Sequence, residues 1–383
     1  MRMRWQLVVF LFVVISITAL LHLYFYQRLA VDTHLGSFTR FVVGGALFLL
    51  FSSLIVINAL FRIMPMATLR RWSFPVYVWM GTMFFLFWSL LTADVVFWMM
   101  GRFFSTKEML RSVFSLSALI LAMILTCYSV WVVSRGPRVK QVDFYLKKWP
   151  KVLNGFKIIQ LTDVHIGPTL GKPFVESLVS MVNQEKPDLI VLTGDLVDGT
   201  VSQLLDDIKP LQNLTARFGI YFVPGNHEYF SGADGWSNVL EQLGFCNLTN
   251  QRVSIEPLPT QRFDLAGVDD HHSGSYKGHG PDFDSALSGR DESLPVILLA
   301  HQPIAVKQAS TRGVDLVLSG HTHGGQIWPW HYFVRLQQPY VSGVHQVGET
   351  IVYVSQGTGY WGPPMRLGTF SEITRVVIRT TAD

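Results

Sequence analysis

The chain of 383 residues is 49% hydrophobic and 13% aromatic with only 15% charged residues, a composition that excludes a disordered or fibrous protein. Its charge is unevenly divided: residues 1–138 hold twelve Lys and Arg against Asp32, Asp94 and Glu108, while the remainder holds 19 basic against 24 acidic residues. The formal net charge of +4 is therefore the sum of +9 in the flanks of an apolar first part and −5 in the rest, and the acidic second part argues against a nucleic-acid polymer as partner.

In chain order, four apolar stretches come first, at about Trp5–Tyr26, Phe41–Met64, Phe74–Met100 and Val113–Val133. Each is long enough as a helix to cross a hydrocarbon core of roughly 30 Å, so residues 1–138 read as a transmembrane region with four helices and the lipid bilayer as partner. Arg2 and Arg4 before the first stretch imitate a signal peptide, but the run is too long and lacks a small-residue cleavage site, so it is read as retained. Four spans put both termini on one side. That side collects Arg2, Arg4, Arg62, Arg70, Arg71, Arg135, Arg138 and Lys140, against Arg28, Arg40, Arg102, Lys107 and Arg111 on the other. The excess of positive charge places the second part of the chain and both termini in the cytoplasm of an inner or plasma membrane protein. Cys127 and Cys246 imply no disulfide framework. Asp94, the acid within a span, is expected to reach the interface or pair with a neighbouring helix.

Residues 139–383 change pattern. Lys157–Leu161, Leu189–Thr193, Ile220–Val223, Phe263–Val268, Val296–Ala300, Leu316–Ser319, Ile351–Val354 and Arg375–Ile378 read as strands. Phe174–Gln184, Ser202–Leu214 and Trp236–Leu243 read as helices between them. Such alternation implies an α/β domain whose ligands bind beyond the carboxyl ends of its strands. Five strand ends carry ligand-type residues in succession: Asp163-x-His165, Gly194-Asp195-x-x-Asp198, Gly225-Asn226-His227-Glu228, His301 and Gly320-His321-x-His323. Mixed carboxylate oxygen and imidazole nitrogen suit Mn²⁺, Fe or Zn²⁺. In an extended segment Asp163 and His165 point the same way, and the carboxylate of Asp195 offers one oxygen in each direction, as a bridge between two ions requires. His321 and His323 can serve one ion or two.

Those five motifs, in that order, resemble the calcineurin-like metallophosphoesterase superfamily over roughly residues 140–383. The run Gly320 to Gln326, Gly267-Val-Asp-Asp270 and Trp361-Gly-Pro-Pro-Met-Arg366 resemble its membrane-associated YkuE/YaeI-like subgroup. The resemblance implies a four-layer β-sandwich flanked by helices and a dimetal phosphodiesterase or pyrophosphatase. It further implies one ion on Asp163, His165, Asp195 and His323 and another on Asp195, Asn226, His301 and His321. His227 would be the catalytic residue beside the scissile phosphate, with Asp198 orienting a neighbour.

Substrate expectations follow from context. Arg366 is a candidate phosphate clamp, with a surface ion pair as the alternative. Asp269, Asp270, His271 and His272 form a turn or a lip of the site. Phe144, Tyr145, Trp149 and Phe156, interleaved with Lys147, Lys148 and Lys151, are a candidate bilayer-facing stretch or an edge strand. A phosphorylated lipid or lipid-linked substrate is the leading expectation. A soluble nucleotide substrate and a non-catalytic metal-dependent sensor or scaffold are the alternatives.

Overall fold

A computed structural model describes residues 2–61, 63–100, 107–277 and 280–381, so Arg62 and Arg102 of the charge comparison lie outside it. The chain forms two units, Met1–Trp131 with Gly362–Met365, and Val132–Trp361 with Arg366–Asp383.

The first unit contains α1 (Arg2–Tyr26), α2 (Ser37–Leu60), α3 (Met66–Met100) and α4 (Lys107–Ser134). All four are long and apolar enough to cross a membrane. Their outward faces suit hydrocarbon and no aqueous surface: Phe12, Phe41 and Trp98 are 70%, 77% and 74% exposed. Helix α3 begins eight residues before the apolar run suggested, because hydropathy marks what lipid covers and not where backbone hydrogen bonding stops. Its 35 residues span about 52 Å and so outreach the hydrocarbon core.

Helix α1 runs on through a π-helical turn, Gln27–Val31, which carries Arg28. The Arg28 guanidinium is 2% exposed and pairs with Asp32 at 2.5 Å and with Asp94 of α3 at 2.6 Å. Tyr24 donates its hydroxyl to the other oxygen of Asp94 at 2.6 Å, and Arg111 of α4 meets Asp32 at 3.1 Å. The intramembrane acid thus pairs with a neighbouring helix. Where α3 passes Pro363 and Met365, Gly81 leaves room that a Cβ would fill.

The second unit is built from two six-stranded sheets. Its strands are β1 (Arg138–Leu146), β2 (Phe156–Leu161), β3 (Leu189–Thr193), β4 (Ile220–Val223), β5 (Cys246–Asn247), β6 (Gln251–Leu258), β7 (Gln261–Gly267), β8 (Val296–Leu299), β9 (Leu316–Ser319), β10 (Gly343–Val347), β11 (Thr350–Val354) and β12 (Glu372–Thr380). One sheet has the order β1-β12-β2-β3-β4-β5, the other β10-β11-β9-β8-β7-β6. Strands β2, β3 and β4 are mutually parallel, as are β7, β8 and β9. Their apolar runs are continuous because both faces are covered. Ile297 and Leu299 of β8 join the core between the sheets, with Ile158, Val191, Leu318 and Val376, while Val296 and Leu298 pack outward against Phe283, Val306 and Ala309. Helix α5 (Lys172–Gln184) buries Val175, Leu178, Val179 and Val182, the spacing of one helical face, and α6 (Val201–Ile208) follows β3. The result is the four-layer β-sandwich flanked by helices.

The stretch from 144 to 156 is edge strand and core. Phe144, Trp149 and Phe156 are buried in the cluster between the sheets, which leaves Tyr145 as its exposed ring, and Lys147 pairs with Glu349. The lysines there have lost the aromatic partners that an interfacial surface needs.

Candidate metal centre

Every candidate ligand sits just past the end of a buried parallel strand. Asp163 and His165 follow β2, Asp195 follows β3, and Asn226 opens α7 (Asn226–Ser231) just after β4. His301 follows β8, and His321 and His323 follow β9. The chain turns sharply at these points. Asp163, His165, Asp195, His321 and His323 all have φ between +51° and +70°, so five of the ten described non-glycine residues with positive φ are candidate ligands. A left-handed backbone at a residue with a side chain is costly and persists where surroundings enforce it, as at functional sites. Two glycines make room for the carboxylates: a Cβ at Gly225 would overlap Asp195, and one at Gly320 would overlap Asp163 and Thr162.

The donor atoms fall into three overlapping groups, each within 4.8 Å: Asp163 with His165 and His323, His165 with Asp195 and His227, and Asp195 with His301 and His321. The Nε2 atoms of His165 and His323 stand 3.0 Å apart, and the Nε2 of His301 is 3.2 Å from both the Nδ1 of His321 and the Oδ1 of Asn226. Two ligands about 2.0–2.1 Å from one metal, at angles from square to tetrahedral, lie roughly 2.8–3.4 Å apart, so these pairs have the spacing of ligand edges. Asp195 stands between the sets, with Oδ2 at 3.1 Å from the Nε2 of His301 and 3.9 Å from that of His165.

A surrounding layer fixes the rings. Asp198 Oδ1 lies 2.8 Å from the Nδ1 of His165 and 2.6 Å from that of His227, so both rings turn Nε2 towards the cleft. The Nδ1 of His301 meets the Thr193 carbonyl at 2.8 Å. Glu228 accepts from the backbone N–H of Gly225, Asp195 and Leu196 at 2.7–2.8 Å and so ties the Asp195 turn to the start of α7. Sequence reading gave Glu228 no part, although Glu three residues after a helix cap is the signal for such a tie.

The electrostatics are those of a buried acidic and imidazole cluster. Burial acts to raise Asp195, but the charge of His301 and the other imidazoles holds it well below the usual carboxylate range. Burial lifts Asp163. Burial also opposes Asp198, yet His165 and His227 bring it down to about 2. His227, lowered by burial, is raised to about 9 by Asp195 and Asp198. His321 falls to about 3 through burial and the neighbouring His301.

Arg366 is fully buried, not at the cleft surface. It donates to the carbonyls of His323, Gln356 and Gly359 at 3.1, 2.7 and 2.7 Å, and its Nη2 lies 3.4 Å from the Nδ1 of His323. In that position it braces His323 and does not clamp a substrate. Asp269 and Asp270 form a buried turn. Tyr229 donates to Asp269 at 2.5 Å, and Gln302, the residue after His301, donates to both oxygens of Asp270. His272 remains half-exposed beside it. The rings of Phe230 and Trp361 flank His227, at 5.3 and 5.8 Å between centroids.

Residues 156–325 match the model of the calcineurin-like phosphoesterase family. A transmembrane protein with metallophosphoesterase domain from Danio rerio is 42% identical over 68% of this chain and 62% of its own length. Its counterpart from Bos taurus is 40% identical over 74% and 66%. The chain thus spans a little under two thirds of those relatives. An uncharacterized metallophosphoesterase from Aquifex aeolicus is 36% identical over 63% of this chain and 92% of its own. The chain belongs to the calcineurin-like metallophosphoesterase family, with four membrane-spanning helices ahead of the phosphoesterase domain.

Proposed function

We propose that this protein is a membrane-anchored dimetal phosphohydrolase that cleaves a phosphodiester or pyrophosphate bond of a lipid or lipid-linked substrate, with its catalytic domain and both termini cytoplasmic. The observation that carries the reading is the set of donor pairs 3.0–3.2 Å apart on either side of Asp195. Asp163, His165, Asp195 and His323 would hold one ion, and Asp195, Asn226, His301 and His321 the other, with Mn²⁺, Fe or Zn²⁺ suited to the donors. When bound, such a pair supplies a nucleophile at neutral pH and offsets charge on the phosphoryl oxygens.

The protein's own groups do the rest. Asp198 holds the Nδ1 of His227, so the proton that His227 can deliver sits on Nε2, which lies 4.0 Å from the Oδ2 of Asp195 and would face a phosphate held by the ions. His227 would thereby protonate the leaving oxygen. Asp198 and Arg366 keep His165 and His323 oriented. The four spans hold the domain at a bilayer, which favours a lipid-borne phosphate over a soluble nucleotide.

The test uses the full chain in detergent, chelated and reloaded with Mn²⁺, on an aryl phosphodiester and the matching monoester. Turnover restored by metal and lost in both Asp195→Asn and His227→Ala is expected, with lipid diesters preferred in a following screen. A protein shown to hold two metals that turns over neither these esters nor lipid phosphates would overturn the hydrolase reading and favour a sensor or scaffold.

A further inference from the structure

Among the described residues of the second unit thirteen large hydrophobic side chains are exposed, and five of them, Trp328, Trp330, Tyr332, Phe333 and Leu336, fall within nine residues, so the exposure is local. These residues lie on the one-turn helix His331–Val334 and its flanks. The rings of Trp330 and Phe333 are 5.1 Å apart, and Leu336 is 82% exposed. From Leu316 to Gly348 the chain has no acidic residue, while Arg335 adds a positive charge.

This segment is joined to the metal centre. It begins immediately after the turn that carries His323. Gln326 both donates to the carbonyl of Trp361 and accepts from its N–H, at 2.9 and 3.0 Å, and Trp361 flanks His227. Trp328 is tied through its N–H to Leu367 at 3.0 Å.

We propose that residues 328–336 are a bilayer-contacting lip that seats its aromatic rings at the headgroup level and presents the metal cleft to phosphates lying in the interface. The occupant follows from the chemistry on display. Trp and Tyr with a flanking Arg and no acid is the composition that membrane interfaces take up. A bilayer is also always at hand, because only residues 135–137 separate the end of α4 from β1. The stretch from 144 to 156 has the lysines for such a contact but has committed every large ring except Tyr145 to the core. The lip deepens the hydrolase reading and rests on it for the substrate class, an amphiphile whose phosphate stays at the membrane surface.

The test uses the full chain with Cys127→Ser and Cys246→Ser in vesicles of phosphatidylcholine and phosphatidylglycerol. A fluorophore is placed at Leu336→Cys or, as a control on an exposed polar helix end, at Asp206→Cys. Lipid-borne spin labels are expected to quench the first at least about twofold more than the second, and aqueous iodide to do the reverse. Equal access to iodide at both positions would overturn the lip, and shielding from both quenchers would overturn it in favour of a covering protein surface. A variant with Trp330→Gln, Phe333→Gln and Leu336→Gln should turn over a soluble aryl diester within about twofold of the parent but show an about tenfold higher KM on a vesicle-borne diester. Unchanged vesicle kinetics sinks the lip. Absence of turnover on every ester would sink the hydrolase reading while leaving the quenching result to decide the lip.

Discussion

Two buried charge clusters, one in each unit, solve the same electrostatic problem in opposite ways. Between the transmembrane helices, Arg28 and Arg111 meet Asp32 and Asp94, so the charges cancel among themselves, while Tyr24 donates to Asp94 and Gln27 to Asp32. Past the strands of the second unit, Asp163, Asp195, Asp198 and Glu228 are gathered with five imidazoles and one buried guanidinium, Arg366. That guanidinium is turned to backbone carbonyls and to the back of His323. The first cluster is complete as a structural lock, whereas the second keeps its carboxylates and imidazole nitrogens aimed at common points and calls for cations. Charge in a nonpolar setting is therefore not in itself a sign of chemistry; the sign is a surplus of ligand atoms over internal partners.

The largest effect that tests this contrast is expected in the membrane. Arg28→Met leaves Asp32 and Asp94 without their shared partner and should cost about 3–5 kcal/mol of helix-bundle stability, read by denaturant titration in micelles. Removing Asp94 in the same chain should return part of that loss. If Arg28→Met alone is neutral, the lock is not what holds these helices. In the metal cluster, Gly320→Ala pushes against Asp163 and should cut turnover about a hundredfold, since misplacing a catalytic group by around 1 Å has that cost. Metal content measured alongside will show whether the loss comes through the ligand set.

Much of this contrast can be read from the chain, and the remainder is hidden for physical reasons. The spans announce themselves because lipid demands unbroken apolar runs, and β3, β4, β8 and β9 because burial on both faces makes them continuous. β6 and β10 are half-exposed, so their polar faces dilute the pattern, and Pro257 interrupts β6 further. The one short ligand-bearing helix, α7, is built of Asn, His, Glu and Tyr and has no apolar period to reveal it. The candidate ligands are visible as residue types at strand ends. The left-handed turns at Asp163, His165 and Asp195 were not, because nothing in an Asp or His advertises a strained φ. Arg366 misled for a related reason: an Arg after a Gly-Pro-Pro run looks like a surface residue, and only the converging carbonyls show it to be a brace.

A smaller effect should come from the layer behind the ligands. Asp198→Asn keeps the size but turns an acceptor for both His165 and His227 into a mixed donor and acceptor, and such supporting residues typically account for 10–100-fold in metal affinity or activity. The expected result is about a tenfold to hundredfold fall in turnover with the fold intact by circular dichroism. A fall below tenfold would mean that the two imidazoles are held by packing, which would make the metal cluster more like the membrane one than the comparison allows.

The smallest effect returns to the helices. Thr126 of α4 donates to the hydroxyl of Thr82 on α3 at 3.1 Å, a polar contact between spans that carries no charge. Interhelical hydrogen bonds of this kind average about 0.6 kcal/mol, because each hydroxyl finds a carbonyl one turn back when its partner is lost. Thr82 already has that alternative, donating to the Val78 carbonyl at 2.8 Å. Thr126→Val should therefore lower stability by roughly 0.6 kcal/mol or less, several times less than Arg28→Met in the same titration. A loss approaching that of Arg28 would show that close packing between α3 and α4, and not charge pairing, sets the stability of the transmembrane unit.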